Sequence, residues 1–182
     1  MTPTIDKASG DDQTPAMFGL VLHAVLGIAV LAIIIRANPA IFSAMRTGPQ
    51  FSALEIIYYV AGIVSIPLCW YFNYRFVAQY QVGSSNPFWG PGSWVQFIQL
   101  GYTNPAASSA SADYTIANLV LLPLFTIIDG RRRGIKLAWL YLGFVLFASF
   151  SFAWAFYLAT VERQRRQQQQ EQSASSQPTN AA

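Results

Sequence analysis

The strongest constraint on this chain is that its apolar residues are gathered into long blocks without charged side chains. The block from Leu137 to Thr160 runs for 24 residues without Asp, Glu, Lys or Arg. The block from Met17 to Ile35 lacks them too, and His23 is its one ionisable group. A bilayer core of about 30 Å needs about 20 apolar residues in a helix that rises about 1.5 Å per residue. Each block is therefore long enough to cross a membrane.

Two further blocks have polar ends. The block from Leu54 to Phe72 has Glu55 at its entrance, and the shorter one from Ala112 to Ile128 carries Asp113 in its first turn and Asn118 one turn deeper. Only 10% of the 182 residues are charged, well under half of what is usual in a soluble domain. The sequence predicts an all-α integral membrane bundle of four transmembrane helices, with spans at about 17–35, 54–72, 112–128 and 137–160.

Several other classes of protein fit the composition poorly. Most of the charged residues before Met17 are acidic. A cleaved signal peptide begins with a basic region, so the block that begins at Met17 is expected to be a retained helix. Cys69 is the only cysteine, so a disulfide within one chain is excluded. The net charge of +3 comes from basic residues that cluster at the ends of the apolar blocks, where such residues ordinarily flank a span. We therefore expect the lipid bilayer, and not nucleic acid, as the partner of the charged groups.

The segments outside the blocks differ in character. Residues 1–16 and the Gln/Ser-rich residues 164–182 are polar, and we expect both tails to be disordered. The middle connection is rich in aromatic residues, and the stretch from Ser93 to Leu100 is typical of a short helix capped by Ser93. Because Trp and Tyr favour the membrane surface, we place this helix at the interface.

The orientation in the membrane depends on how Lys and Arg divide between the two sides. With four spans, the first and third connections share one side and hold six basic residues, namely Arg36, Arg46, Arg131, Arg132, Arg133 and Lys136. The two tails and the middle connection hold five, namely Lys7, Arg75, Arg163, Arg165 and Arg166. The tight arginine cluster lies in a short hairpin, where charge bias acts most strongly, so we expect both termini outside.

A set of short motifs follows a recognisable order along the chain: Pro67-Leu-Cys-Trp-Tyr-Phe-Asn73, Asn104-Pro105-Ala106 ahead of Asp113, Asp129-Gly130-Arg131-Arg132 followed by Trp139 and Tyr141, Ser151-Phe152-Ala153, and Tyr157-Leu158 before Glu162-Arg163. In these features residues 58–163 resemble a bacterial membrane family known as domain of unknown function 2834. The chain departs from that family in the additional helix at 17–35 and in Asp129, where Glu is usual. The resemblance implies a small multi-spanning protein and no particular activity.

His23 lies between Gly19 and Gly27 on one face of the first helix. Small residues at this spacing allow close helix packing, so an interhelical contact and a homo-oligomer interface are the ordinary interpretation. A haem ligand or a proton-relay group is the alternative interpretation of His23, although a bis-histidine haem would need a second chain.

Asp113 and Asn118 begin the third block. A carboxylate in a first turn is favoured by the helix dipole, so capping is the ordinary interpretation of Asp113. A carboxylate below the headgroups must be paired and marks a functional site, and Arg75 or Glu55 is a candidate partner. Asp113, Asn118, Arg75 and His23 are therefore the candidate functional polar residues.

Asp129 and the arginines Arg131, Arg132 and Arg133 form a charged hairpin between the last two blocks. We expect Gly130 to end the preceding helix in the left-handed conformation, and the arginines to fix topology and contact lipid headgroups. A site for a phosphate-bearing substrate is a second interpretation of these arginines.

No familiar catalytic, metal-binding or nucleotide-binding motif occurs in the sequence. We therefore expect no cofactor or metal, and a non-enzymatic structural or accessory subunit of the bacterial plasma membrane, alone, as a homo-oligomer or in a larger complex. A membrane-embedded lipid or isoprenoid binding protein or enzyme is the first alternative, and a haem-binding subunit is the second.

Overall fold

The computed structural model describes residues 14–81 and 89–176. Within these ranges the chain is helical and has no strand. The helices are α1 (Thr14–Ala37), α2 (Pro39–Phe42), α3 (Ala53–Tyr80), α4 (Trp94–Leu100), α5 (Pro105–Ile116), α6 (Leu122–Arg132), α7 (Tyr141–Phe147) and α8 (Phe150–Ser175). A π-helical turn at Ala117–Leu121 joins α5 to α6 without a break, and a 3-10 turn at Ala138–Leu140 leads into α7.

Two of the described helices are long and apolar enough to cross a membrane. They are α3 and the continuous helix α5–α6, Pro105–Arg132, with 28 residues each. Only 11% and 17% of their apolar windows are buried, which is unlike the core helix of a soluble protein. Among the described residues, Val21–Ala37 of α1 and Ala138–Phe147 are shorter apolar helices. The prediction of an all-α chain is confirmed, whereas four crossing helices are not found.

The last apolar block is not one helix, contrary to the prediction of a single span at 137–160. Helix α7 ends at Phe147, Ala148 leaves helical geometry, and Ser149 caps the start of α8 by accepting a hydrogen bond from the Phe152 backbone. The Tyr141 hydroxyl donates to Thr160 Oγ1 at 2.8 Å, and the rings of Phe144 and Phe152 are 5.0 Å apart. The two helices therefore run antiparallel, as a hairpin with its turn at Ala148–Ser149.

Helix α8 packs antiparallel to α3 along its first half. Glu55 meets Arg163 at one end of this contact, and the hydroxyls of Ser65 and Ser149 are 2.7 Å apart at the other. Ten residues separate Glu55 from Ser65, about 15 Å of helix, and α3 continues for about 22 Å beyond Ser65. The turn of the hairpin therefore lies less than halfway along α3.

The hydrophobic core lies around α8. It contains the buried rings of Tyr141, Phe144, Phe156 and Tyr157, with Ile34 from α1 beneath them. Helices α3 and α8 approach closely at Gly62, where a Cβ would lie 3.2 Å from Ala155 Cβ. Polar and charged side chains of α8 are buried as well, because this helix lies at the centre of the bundle.

The third block begins much earlier than we expected. Its helix starts at Pro105, and the Asn104 side chain caps it by accepting from the Ala107 backbone. Asp113 is therefore well inside the helix and not in its first turn, because the Asn-Pro pair supplies a stronger start signal. Gly130 also differs from the prediction, since α6 continues to Arg132 and the residue with a left-handed φ of 71° is Gly134.

The ends of the chain differ from the expected tails in part. Residues 1–13, which include Lys7, and residues 177–182 lie outside the described residues. Helix α1 begins at Thr14, and α8 continues through the Gln-rich segment to Ser175, so the expected disorder from residue 164 is corrected. The predicted short helix with its Ser93 cap is confirmed as Trp94–Leu100, and its place at a membrane interface stays a prediction.

Candidate functional site

One end of the bundle gathers most of the charged groups, and we call it the charged end. It consists of the α1–α3 connection at 38–52, the α6–α7 connection at 133–137, and α8 from Glu162 onwards. Hydrogen bonds tie these three segments to one another. Because the α7–α8 hairpin turns back, the last part of the described chain comes to the same end as the first and third connections.

Glu55 is the central residue of the charged end. Glu55 is 0% exposed and forms a capping box with Ser52. The Ser52 hydroxyl accepts a hydrogen bond from the Glu55 backbone N–H at 3.1 Å, and the Ser52 backbone N–H donates to Glu55 Oε2 at 2.8 Å. The spacing Ser-x-x-Glu is the signal by which the sequence specifies this start of α3. The carboxylate is thereby held at a fixed place, facing α8.

Two arginines of α8 neutralise the Glu55 carboxylate. Arg163 Nη1 donates to Glu55 Oε1 at 3.1 Å, and Arg166 Nη1 donates to Glu55 Oε2. Their side chains are 7% and 13% exposed. A buried carboxylate is costly unless it is paired and hydrogen-bonded, and here both oxygens have charged donors. The three groups therefore form one buried ion cluster with a net charge of +1.

The same arginines fix the connection between α1 and α3. Arg163 donates to the carbonyls of Gln50 at 3.0 Å and Ser43 at 2.9 Å, and its guanidinium lies 5.3 Å from the centre of the Phe51 ring. Arg166 donates to the carbonyl of Pro49. Arginine suits this position because its planar group can satisfy a carboxylate and backbone carbonyls at once.

The Gln-rich part of α8 continues these contacts outward. Gln167 donates to the Ser43 carbonyl at 3.0 Å, and Gln170 donates to the Thr47 carbonyl at 2.6 Å while accepting from the Arg46 backbone at 3.0 Å. These partners lie more than 120 positions away in the sequence. The glutamines therefore anchor the helix to the loop, which composition alone does not reveal.

A second charged group joins α6 to α8. Asp129 Oδ2 accepts from the Tyr157 hydroxyl at 2.8 Å and from Arg133 Nε at 2.7 Å. The Gln164 amide then donates to the Arg133 carbonyl at 2.7 Å. Arg131 and Arg132, which we singled out with Asp129, are exposed at this connection.

Asn38 clamps α1 to the α6–α7 connection. Its amide donates to the carbonyls of Ile34 at 2.9 Å and Lys136 at 3.0 Å, and its own oxygen accepts from the Lys136 backbone at 2.7 Å. The residue is 5% exposed, so these bonds satisfy polar groups that water does not reach. Sequence reasoning missed Asn38, because an Asn before a proline reads as an ordinary turn residue.

The candidate functional polar residues lie elsewhere and apart. Arg75 is exposed and contacts Tyr71, and Asp113 is exposed on α5. Asn118 is buried in the π-helical turn, donates to the Tyr114 carbonyl at 2.7 Å, and has an Oδ1 atom without a hydrogen-bond donor among the described residues. In the ranges 14–81 and 89–176, no hydrogen bond or ion pair joins any two of Arg75, Asp113 and Asn118.

The predicted packing face of α1 contacts α7 of the same chain. A Cβ at Gly27 would lie 3.6 Å from the Phe147 carbonyl oxygen, and the His23 ring lies 6.1 Å from the Phe147 ring. The surroundings of Gly19 lie outside the described part of the structure. The part of this face around Gly27 is therefore covered within the chain.

The contacts of the charged end hold helices together, and they pair the Glu55 and Glu162 carboxylates with arginines. Glu162 pairs with Arg165 at 2.9 Å, and this hydrogen bond and the carboxylate charge raise the pKa of Arg165. No group of three or more His, Cys, Asp or Glu side chains able to hold a metal ion occurs among the residues that the structure describes. The arrangement is suited to binding anions and to fixing helices, since its surplus charge is positive.

A comparison with protein families bears on the same region. The family described as "Protein of unknown function DUF2834" matches residues 57–163, which is more than half of the chain. The chain belongs to this family. The matched region begins just inside α3 and ends at Arg163, so it includes the α7–α8 hairpin and leaves out α1. No curated protein and no solved structure matches the chain.

Proposed function

We propose that this member of the DUF2834 family is a small integral membrane protein that acts as a non-enzymatic structural or accessory component. The observation that carries the proposal is the exposed apolar surface of α3 and α5–α6, two 28-residue helices of which the bundle buries little. Water disfavours such a surface, whereas lipid chains accept it. In the proposal α1, α3 and α5–α6 cross the bilayer.

The α7–α8 hairpin enters the membrane from the charged end and does not cross it. Helix α7 has seven residues, about 10 Å of helix, which is far short of a bilayer core of about 30 Å. Non-helical backbone at membrane depth must be covered by protein. The Trp70 indole donates to the Ala148 carbonyl at 3.2 Å and Ser65 contacts Ser149, which is the cover that a re-entrant turn requires.

The proposed topology keeps the expected side of the first and third connections and changes only the side of the C-terminus. The six basic residues of the first and third connections now share an end with the three arginines of α8, which makes nine of the eleven. Of the described basic residues only Arg75 lies toward the opposite end of α3. The positive-inside rule then puts the charged end in the cytoplasm, so the C-terminal tail is inside and α1 begins outside.

Cysteine accessibility distinguishes this topology from four spans. In a Cys69→Ser background, we expect a cysteine introduced as Thr103→Cys to react with a membrane-impermeant thiol reagent in intact cells. The variant Ser176→Cys should react only after the membrane is permeabilised. With four spans the two positions would lie on the same side, so equal reactivity of the two variants in intact cells rejects the hairpin topology.

The non-enzymatic part of the proposal is supported by the structural contacts that the charged side chains make. Glu55, Arg163 and Asp129 hold helices to one another and to loops, and such pairs specify one arrangement of a bundle. Purification in mild detergent, with mass spectrometry of associated proteins, should find a partner at fixed stoichiometry or a defined homo-oligomer. A monomer without any stoichiometric partner would argue against an accessory role.

A lipid or isoprenoid binding protein is the second candidate, and one observation favours it. Asn118 combines a π-helical turn with a buried Oδ1 that lacks a donor among the described residues, and both features are common at functional sites. Extraction of the purified protein should then yield one enriched lipid whose amount falls in Asn118→Leu. The haem alternative rests on His23, and an absorption spectrum without a Soret band rejects it.

A further inference from the structure

A cavity at the charged end has the composition of an anion site. It lies between the loop that follows α2 and the outer part of α8, with a volume of about 340 Å³. Its lining includes Arg46, Thr47, Arg166, Gln169, Gln170 and Ser173. Since a water molecule occupies about 30 Å³, the cavity has room for a phosphate group with several waters.

The charge around this cavity is positive and is not cancelled. Arg163 and Arg166 share the single negative charge of Glu55, and Arg46 adds another positive charge, which leaves a surplus of two. No carboxylate is among the lining residues. Two carboxylates of the same helix lie outside the lining: Glu162 is paired with Arg165, and Glu171 is exposed. An anion would therefore be attracted here without displacing an existing pair.

The cavity also has donors that are already fixed in place. The Arg166 guanidinium is held by Glu55, and Gln170 is held by Thr47 and by the Arg46 backbone. Donors that need no reordering bind a ligand at a lower entropic cost. The Thr47 hydroxyl adds a neutral group to the lining, whereas the Ser173 hydroxyl donates to the Gln169 carbonyl at 2.8 Å within α8.

We propose that this cavity binds a phosphate-bearing anion, with Arg46 as the ligand-contacting residue that is free to move and Arg166 as the fixed one. Arg46 is exposed, and in the described residues its guanidinium is in no ion pair. The phosphate can belong to a lipid headgroup or to a soluble compound, because the cavity lies between the loop residues Arg46 and Thr47 and the outer part of α8. The proposal is independent of whether the chain acts as an accessory component.

The test uses the full chain in mild detergent with two probes. In the first arm, inorganic phosphate and pyrophosphate are titrated by calorimetry at constant ionic strength, with chloride as the reference anion. In the second arm, native mass spectrometry compares retention of phosphatidylglycerol with retention of phosphatidylcholine. Arg46→Gln should weaken binding about tenfold in the arm that responds, because it removes a charge-assisted hydrogen bond.

The controls separate a site from general attraction to a basic protein. Lys136→Gln removes a positive charge from the same end but outside the cavity, so it should bind like the wild type. Arg46→Lys keeps the charge and should retain most of the affinity. The responding arm identifies the source of the phosphate. Absence of a response in both arms, or an equal loss in Arg46→Gln and Lys136→Gln, overturns the proposal.

Discussion

Glu55 and Arg163 lie 108 positions apart in the sequence, yet they form an ion pair of 3.1 Å at the centre of the charged end. The Glu55 side chain is fully buried, so the pair has little contact with water. It joins the first turn of α3 to the middle of α8. The position of the α7–α8 hairpin within the bundle therefore depends on a contact between distant parts of the chain.

Glu55→Gln should destabilise the protein strongly. The change leaves two arginines near a neutral amide, and breaking a buried pair on one side costs about 3 kcal/mol or more. Thermal unfolding in detergent measures it, with Arg132→Gln as the control. Arg132 is exposed and forms no ion pair among the described residues, so its substitution should change the stability by less than about 0.5 kcal/mol. Similar melting temperatures for the two variants would contradict a structural role for Glu55.

Gly130→Ala and Gly27→Ala form a matched pair within helices. A Cβ at Gly130 would overlap with Ala138 Cβ, whereas at Gly27 the nearest atom would be 3.6 Å away. We expect Gly130→Ala to cost about 1–3 kcal/mol by overpacking. Gly27→Ala should be neutral or slightly stabilising, because alanine favours a helix. Melting temperatures of both variants check this, and the reverse order would refute the contact between α6 and the 3-10 turn.

Ser149→Ala tests the turn of the hairpin. It removes the cap of α8 and the partner of the Ser65 hydroxyl. Loss of a serine cap costs about 1 kcal/mol, and the half-buried Ser65 hydroxyl adds little to this cost because it still donates to the Gly62 carbonyl at 2.6 Å. Ser151→Ala changes an exposed serine two residues later and should have little effect. If both substitutions lower the melting temperature equally, the cap is not at Ser149.

The double substitution of Gln167 and Gln170 by alanine tests the outer part of α8. We expect faster amide hydrogen exchange over residues 165–175, because the helix loses its bonds to the loop at 43–47 while its propensity barely changes. Alanine at Gln168 and Gln172, two exposed positions, is the control and should leave exchange unchanged. Unchanged exchange in the first variant would mean that the loop contacts do not hold this segment.

Local signals predicted part of the helix pattern. The Ser93 cap and the first two apolar blocks agree with α4, α1 and α3, whereas the start of α5 at Pro105 was missed. The family was also recognisable from ordered short motifs, and the match over residues 57–163 confirms it. These features depend on residues within one or two turns of each other, which is the range over which capping and helix propensity act.

The path of the last apolar block could not be derived in this way. The residues from Leu137 to Thr160 are equally apolar whether they form one helix or two, so hydropathy does not predict a turn at Ala148. That turn is stabilised by hydrogen bonds from Trp70 to the Ala148 carbonyl and between the hydroxyls of Ser65 and Ser149. The helical structure of the Gln-rich segment was missed for the same reason. Its stabilising partners at Ser43 and Thr47 are far away in the chain.

The sequence by itself therefore determined the helical class, the apolar blocks, the family and the short helix that Ser93 caps. Only the tertiary structure decided that α8 returns to the end where α1 stops, and that Glu55 pairs with Arg163 and Arg166 there. The physical reason is that apolar patterning measures how much a segment avoids water, and it carries no information about which distant segment will cover it. Ion pairs and buried hydroxyls make that choice, because each must find a partner when water is removed.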